Sequence, residues 1–288
     1  MQTILEPFEY AAPSTVNEAV SLLDGHGEQV KVLAGGTDLV WQMAKKKVQP
    51  ELLLDIGNIR ELDFIVQTGD TLRIGALTTF SAVETSALIH DKAPILASAA
   101  ASMGKPQIRT RGTIGGNLAN RSPAADSATP LLVLNAHVVM VGKFGERTLP
   151  LPEFYREETA LRPDELLTEI RVPLHELGAA KGDFIKLGVR KAACLPIVSV
   201  SVLLGQEHGD CTWARVAFGA AAPTPIRAYR AEDFLTGTRL TDDVIRQAAE
   251  IAADETRPIS DVRASKAYRK EVAGVLVRRA IENALGSD

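Results

Sequence analysis

The sequence predicts an α+β protein in three units, at residues 1–58, 59–177 and 178–288. Three observations carry this expectation. Short apolar strands are interleaved with helical stretches in the first two units. From about residue 178, three strand-like runs follow one another directly. The chain then closes on helices, and strands followed by helices point to an antiparallel sheet with helices packed on it.

The elements follow in order. Residues 15–24 read as a helix, because Val16, Ala19, Val20 and Leu23 recur at i, i+3, i+4 and i+7. Thr15 and Glu18 have the spacing of a capping box, and Gly25 suits the stop. "VKVLA" and "ELLLDI" read as buried strands around a glycine pair, Gly35 and Gly36. "TLRIGALTTF" alternates Leu72, Ile74 and Ala76 and reads as a strand. Ser81 and Glu84 form a second candidate capping box. The helical region after them breaks near Pro94 and runs to about Met103. "PLLVLNAHVVMVG" and "ELLTEIRVP" add helix or strand. In the third unit "DFIKLGVRK", "IVSVSVLLG" and "CTWARVAFGA" are successive strands. Val198, Val200, Val202 and Leu204 alternate there with positions expected to be polar or exposed. His208, Gly209 and Asp210 make the hairpin turn. "SKAYRKEVAGVLVRRAIENALG" is the last helix.

Composition excludes several functions. The 288 residues are 45% hydrophobic and 24% charged with a net charge of −4, an ordinary globular balance. No block of like charges favours nucleic acid or an anionic membrane, and Lys45–Lys47 read as a solvated turn. The two cysteines, Cys194 and Cys211, make neither a CxxC nor a disulfide framework, and the five histidines are scattered. No apolar run has the length of a membrane span, and "MQTILEPFEY" lacks the features of a signal peptide. A cytoplasmic protein is expected.

Two Gly-Gly loops, "AGGTDL" and "TIGGN", are each entered from an apolar run. One such pair on its own reads as a tight turn. Two, with Thr37, Thr113 and Asn117 beside them, suit the phosphates of a dinucleotide, because glycine lets backbone N–H groups approach an anion. The chain has no G-x-G-x-x-G after a strand, no Walker loop and no G-x-S-x-G elbow. Asp126 reads either as an acid at a helix start or as an acceptor for ribose or ribityl hydroxyls. Lys186 reads either as a solvent-facing strand lysine or as a buried one needing an anionic or carbonyl partner.

"KVLAGGTDLV" together with "PQIRTRGTIGGNLANRSPAADSATPLLVL" resembles the FAD-binding medium subunit of molybdenum hydroxylases, the xanthine dehydrogenase and carbon monoxide dehydrogenase family. "GAAAPTPIRA" and "VRASKAYRKEVAGVLVRRAI" resemble the C-terminal domain of the same subunits, so the likeness spans nearly the whole chain. "AGGTDL" and "GGN" stand closer to bacterial xanthine dehydrogenase FAD-binding subunits than to the carbon monoxide branch. The resemblance implies two FAD-binding subdomains of the vanillyl-alcohol oxidase type, then an α/β C-terminal domain with a small antiparallel sheet. It sets Val32, Leu33, Ala34, Gly35, Gly36, Thr37, Asp38 and Leu39, with Thr113, Ile114, Gly115, Gly116 and Asn117, around the phosphates of FAD and neighbouring groups. Asp126 falls on a FAD-contacting acid. Leu167, or Leu166 with a one-residue shift, packs on the cofactor. Lys186 matches a lysine near the flavin ring, and Met103 stands where some relatives carry an aromatic beside it. Cys194 replaces an acid common in relatives, so NAD specificity is not carried onto "RKAACLP".

The implied activity is electron transfer within an oxidoreductase. The organic substrate, a purine, N-heteroaromatic or aldehyde, is oxidised at a molybdenum cofactor on a large partner subunit. Two 2Fe–2S clusters on a small partner pass the electrons to FAD on this chain, and from there they reach NAD or another acceptor. A heterotrimer, or a dimer of heterotrimers, is the implied assembly. No His or Cys stands beside either loop, so the flavin is expected to be non-covalent. This chain is expected to carry no metal, and no catalytic group beyond the flavin. Two alternatives are a free-standing flavin oxidase or reductase of the same fold and a non-catalytic assembly protein.

Overall fold

Thr15 starts the first helix because its hydroxyl accepts the Glu18 N–H at 3.2 Å, one of the N–H groups that a helix start leaves unpaired. This helix, α1 (Val16–His26), buries Ala19, Val20 and Leu23 as its spacing predicts. The expected box closes differently, since the Glu18 carboxylate accepts from the N–H and hydroxyl of Ser14. The stop also moves. Gly25 lies inside the helix, and the chain turns at Gly27, whose φ of +56° favours glycine. A Cβ at Gly25 would meet nothing within 4 Å. Gly25→Ala should therefore add about 0.4–1 kcal/mol of stability, read as a raised Tm, and a lowered Tm would contradict it.

The computed structural model describes residues 5–157, 159–190 and 193–286. The first four residues of "MQTILEPFEY", and Lys191 and Ala192 of "RKAACLP", lie outside them.

Three sheets organise the chain. The first holds β1 (Glu9–Ala11), β2 (Val30–Leu33) and β3 (Leu52–Asp55), parallel and in the order β1-β3-β2. Helix α2 (Leu39–Ala44) lies on the connection from β2 to β3. The second sheet is antiparallel. It contains β4 (Ile65–Thr68), β5 (Thr71–Gly75), β6 (His137–Gly142), β7 (Gly145–Pro150) and β8 (Leu166–Pro173), in the order β4-β5-β8-β6-β7. Between β5 and β6 run α3 (Phe80–Thr85), α4 (Ala87–Lys92), α5 (Pro94–Ser102), α6 (Pro106–Arg109), α7 (Ile114–Ala119) and α8 (Ala128–Val133); α9 (Leu151–Arg156) follows β7. The break expected near Pro94 lies between α4 and α5, where proline suits a first helical position. Thr79, not Ser81, caps α3, its hydroxyl accepting from Ala82 N–H at 3.2 Å. Ser81 is the second residue of that helix and caps nothing.

The third sheet holds β9 (Lys181–Gly188), β10 (Pro196–Glu207), β11 (Asp210–Gly219) and β12 (Ile226–Arg227), antiparallel in the order β12-β11-β10-β9. His208 and Gly209, both at positive φ, turn β10 into β11, as a two-residue hairpin of that hand requires. Helices α10 (Tyr229–Leu235), α11 (Asp242–Glu255) and α12 (Lys266–Gly286) complete the chain. One expectation fails here. Val198, Val200, Val202 and Leu204 do face the core against α11 and α12, but Ser199, Ser201 and Leu203 between them are buried too. Their face lies on α8, where the Ser201 hydroxyl donates to Thr129 Oγ1 at 3.0 Å. A sheet covered on both faces loses its polar alternation. That double burial also packs the third sheet against the second unit.

Candidate cofactor site

The first glycine loop leaves the C-terminal end of β2, the end at which parallel strands present ligand loops. Residues Gly35 to Leu39 donate no backbone hydrogen bond to the described residues. Five consecutive N–H groups are thus unspent along one wall of a cavity of about 950 Å³, a volume typical of ligand sites. Gly36 has φ +72°, and a Cβ on Gly35 would stand 1.9 Å from the Arg111 carbonyl oxygen. Gly35 therefore lets the two loops touch.

The second loop is built otherwise. Ile114 and Gly115 donate their N–H groups to Thr78 and Ala76 carbonyls, and Gly116 donates to the Thr113 hydroxyl. Its donors are spent on holding the loop against residues 76–80. A Cβ on Gly115 would lie 2.5 Å from that of Ala76, so this glycine serves packing. Asn117 supplies what the backbone does not. Its Oδ1 accepts from the Ser127 N–H and hydroxyl. That leaves its amide NH₂ without a partner among the described residues, on the cavity wall. The expectation of two equivalent donor loops is corrected to one donor loop and one shaping loop.

Val32, Ala34, Gly35, Gly36, Thr37, Asp38, Leu39, Met103, Thr113, Gly115, Gly116, Asn117 and Leu167 all line this cavity, and Leu166 does as well. Four expected contacts do not. Leu33 ends β2, and its carbonyl accepts from Ile56 N–H. Ile114 is fully buried in the core of the second unit. Asp126 and Lys186 form a buried ion pair of 2.6 Å just behind the wall, beside the lining residues Ala124 and Ala125. Lys186 also donates to the Ser102 carbonyl at 3.4 Å, so it has both partners that a buried strand lysine needs. Burial holds the Asp126 carboxyl above the usual carboxylate range, against the pull of Lys186. Its Oδ1 is buried without a partner.

The sequence alone did not single out Ala76, Phe80, Ile108, Arg162, Glu165 and Leu195, which also line the cavity. No local motif marks them, because three sheets bring them together. Glu165 is buried against Arg147 at 2.6 Å. Burial raises its pKa, but the Arg147 side chain and the Arg162 N–H outweigh that, and the acid stays ionised to lower pH than usual. Lys31 and Arg162 stand on the same wall as Glu28, Asp38 and Glu165, so backbone donors rather than a cation cluster suit an anion here.

A family described as the FAD binding domain in molybdopterin dehydrogenase matches residues 6–175, and the CO dehydrogenase flavoprotein C-terminal domain matches residues 184–284. The chain belongs to the molybdopterin-dehydrogenase flavoproteins. Like other members of this oxidoreductase family, it has an FAD-binding domain. The carbon monoxide dehydrogenase medium chain of Hydrogenophaga pseudoflava is 35% identical over 279 residues, covering 96% of each chain. An FAD-binding subunit of the xanthine dehydrogenase type, XdhB of Escherichia coli strain K12, is 31% identical over 281 residues, again covering 96% of each. The solved carbon monoxide dehydrogenase from Hydrogenophaga pseudoflava, in a form lacking the Mo-pyranopterin moiety of its cofactor, superposes with a TM-score of 0.94 at 35% identity over 98% of each chain. The molybdopterin-dehydrogenase flavoprotein fits a dinucleotide on two observations of its own. The Gly35–Leu39 donors match the charge of a pyrophosphate, and the Asn117 amide on the same cavity wall adds a side-chain donor. Among the described residues of this flavoprotein, no helix is long and apolar enough to cross a membrane.

Proposed function

We propose that this chain binds FAD non-covalently between the two glycine loops, with the pyrophosphate on Gly35 to Leu39. In our reading it receives electrons from two 2Fe–2S clusters of a small partner subunit. It passes them to NAD or another acceptor, while a large molybdenum subunit oxidises a purine, N-heteroaromatic or aldehyde. The run of unspent N–H groups on the cavity wall is the observation that carries this reading. When bound, FAD would supply a carrier that can take electrons singly, as one-electron clusters deliver them, and give them up singly or in pairs. The chain's own residues supply binding and orientation. Backbone donors neutralise the phosphates, Asn117 offers its amide, and Leu166 and Leu167 keep water from one side. The units 1–58, 59–177 and 178–288 are taken as two FAD-binding subdomains and a C-terminal domain because each holds one sheet. We take the assembly to be a cytoplasmic heterotrimer, or a dimer of heterotrimers. The relatives' names specify different substrates, carbon monoxide and xanthine, which supports leaving substrate choice to the partner.

Acid precipitation of the purified chain tests the cofactor reading. Flavin should pass into the supernatant, and flavin retained in the pellet would refute the non-covalent link. Partner activity separates the subunit from a free-standing oxidase, because only the latter turns over a small molecule alone.

The proposed electron-entry edge is the segment Met103 to Arg111. Arg109 does not belong to its surface. It is largely buried, its guanidinium holds Glu84 at 2.7 Å, and it donates to the Met103 carbonyl. Lys105 and Arg111 are exposed. Replacing these two by Ala should slow flavin reduction by the partner's substrate about tenfold, as the loss of steering charges does. Flavin content and reduction by dithionite should be unchanged. A wild-type rate in the reconstituted complex would move the docking face elsewhere.

A further inference from the structure

Ser127 stands in the N-cap position of α8, and its carbonyl accepts from the Leu131 N–H at 3.2 Å. A serine there ordinarily turns its hydroxyl on the first N–H groups of its own helix. Among the described residues this one does not. Its hydroxyl donates instead to Asn117 Oδ1 at 2.7 Å, and its N–H donates to the same oxygen at 3.3 Å. Ser127 is fully buried, out of reach of bulk water.

A side-chain amide carries its acceptor on one side and its two donors on the other. With both donors of Ser127 on Oδ1, the Nδ2 side of Asn117 is turned away from the start of α8. Asn117 is half-buried on the cavity wall, and its NH₂ has no partner among the described residues. Were the amide turned over, its NH₂ would face the Ser127 N–H, donor against donor. The neighbouring Gly116 stands beside Ala34, and a Cβ on it would lie 3.9 Å from that of Ala34. Ala34 leads directly into the Gly35–Leu39 donors, so the amide and those N–H groups border one part of the cavity. A donor already aimed binds more tightly than one that must first be turned.

We infer that Ser127 is a positioning residue. Its hydroxyl forgoes the helix cap and fixes the Asn117 amide with the NH₂ toward an anionic oxygen of the bound dinucleotide. Asn117 makes the contact. Ser127, which does not line the cavity, acts only through it. The inference rests on the reading that FAD occupies this cavity.

The test titrates four variants of the full chain, as apo-protein, with FAD: Ser127→Ala, Asn117→Ala, the double variant and Asn117→Asp. Ser127→Ala should weaken binding about fivefold, the worth of one ordinary hydrogen bond. Asn117→Ala should weaken it about tenfold, the worth of one hydrogen bond to a charged group. The double variant should bind no more weakly than Asn117→Ala alone, because the hydroxyl then has nothing left to position. Asn117→Asp keeps the acceptor for Ser127 but sets a carboxylate oxygen where the NH₂ was. It should therefore bind FAD more weakly than Asn117→Ala, whereas a side chain that served only to hold α8 would show the reverse. Ser127→Gly repeats the cycle should Ser127→Ala not fold, and apo-protein melting shows which variants are native. A double variant weaker by the product of the singles, about fiftyfold, would mean that Ser127 acts independently of Asn117 and would overturn the inference. So would full affinity in native Ser127→Ala, or Asn117→Asp binding as tightly as Asn117→Ala. A wild-type chain that binds no FAD would instead remove the reading beneath it.

Discussion

Gly35→Val is expected to leave the purified chain nearly free of flavin. At this position a Cβ would stand 1.9 Å from the Arg111 carbonyl oxygen and 2.7 Å from its carbon. No side chain can swing aside, because the obstacle is backbone. One loop must retreat by about an ångström, and it takes the Gly35–Leu39 donors with it. Losing two hydrogen bonds to a phosphate, at about 1.5–3 kcal/mol each, lowers FAD affinity about a hundredfold or more. Overpacking adds an instability of about 1–3 kcal/mol, so apo-protein melting is measured beside the flavin-to-protein ratio. Flavin content near wild type would show that the loops need not touch. Gly25→Ala is the natural control, a glycine replacement with open space around it.

Local features of the site were legible in the sequence, and tertiary ones were not. The glycine pairs, Asn117 and the Thr15 cap are written in neighbouring residues, and so is the break at Pro94, whereas Ser81 lies inside α3 and the stop of α1 is at Gly27. The division of labour between the loops was not. It depends on which N–H groups residues 76–80 consume, and those residues lie far from Gly115 in sequence. Ile114 looked like a loop residue and is core, because α7 begins at it. The positions between the valines read as polar or exposed; Ser199 and Ser201 are polar, yet a second layer covers them and Leu203 alike. Asp126 and Lys186 each carried two readings that spacing alone could not decide. Burial against one another decides in favour of the pair, since neither charge would be stable there alone.

Arg269→Ala should strongly destabilise the C-terminal domain. The side chain is 1% exposed, on the inner face of α12. Its Nη1 donates to the carbonyls of Ile197 at 2.8 Å and Ala220 at 2.9 Å, and its Nη2 donates to Asp261 Oδ1 at 2.7 Å. Arg263 grips the same acid and donates to the Pro196 carbonyl. The two arginines thus tie the start of β10 and the end of β11 to the 260s loop, next to the cavity-lining Leu195. Removing one partner of such a pair costs about 3–5 kcal/mol, a fall in Tm on the order of 10 °C. By contrast Arg246→Ala, which removes an exposed pair with Asp243, should change stability by less than about 0.5 kcal/mol. Acid separates charge from packing. Hydrogen bonds from Arg263, then from Arg269, hold Asp261 far below the usual carboxylate range. A depressed folded pKa stabilises above the unfolded value and is lost as pH falls through the folded one. The stability gap between wild type and Arg269→Met, which keeps an apolar stem, should therefore narrow on acidification. A gap that stays constant down to acid denaturation would assign the loss to packing and leave Asp261 no part in it.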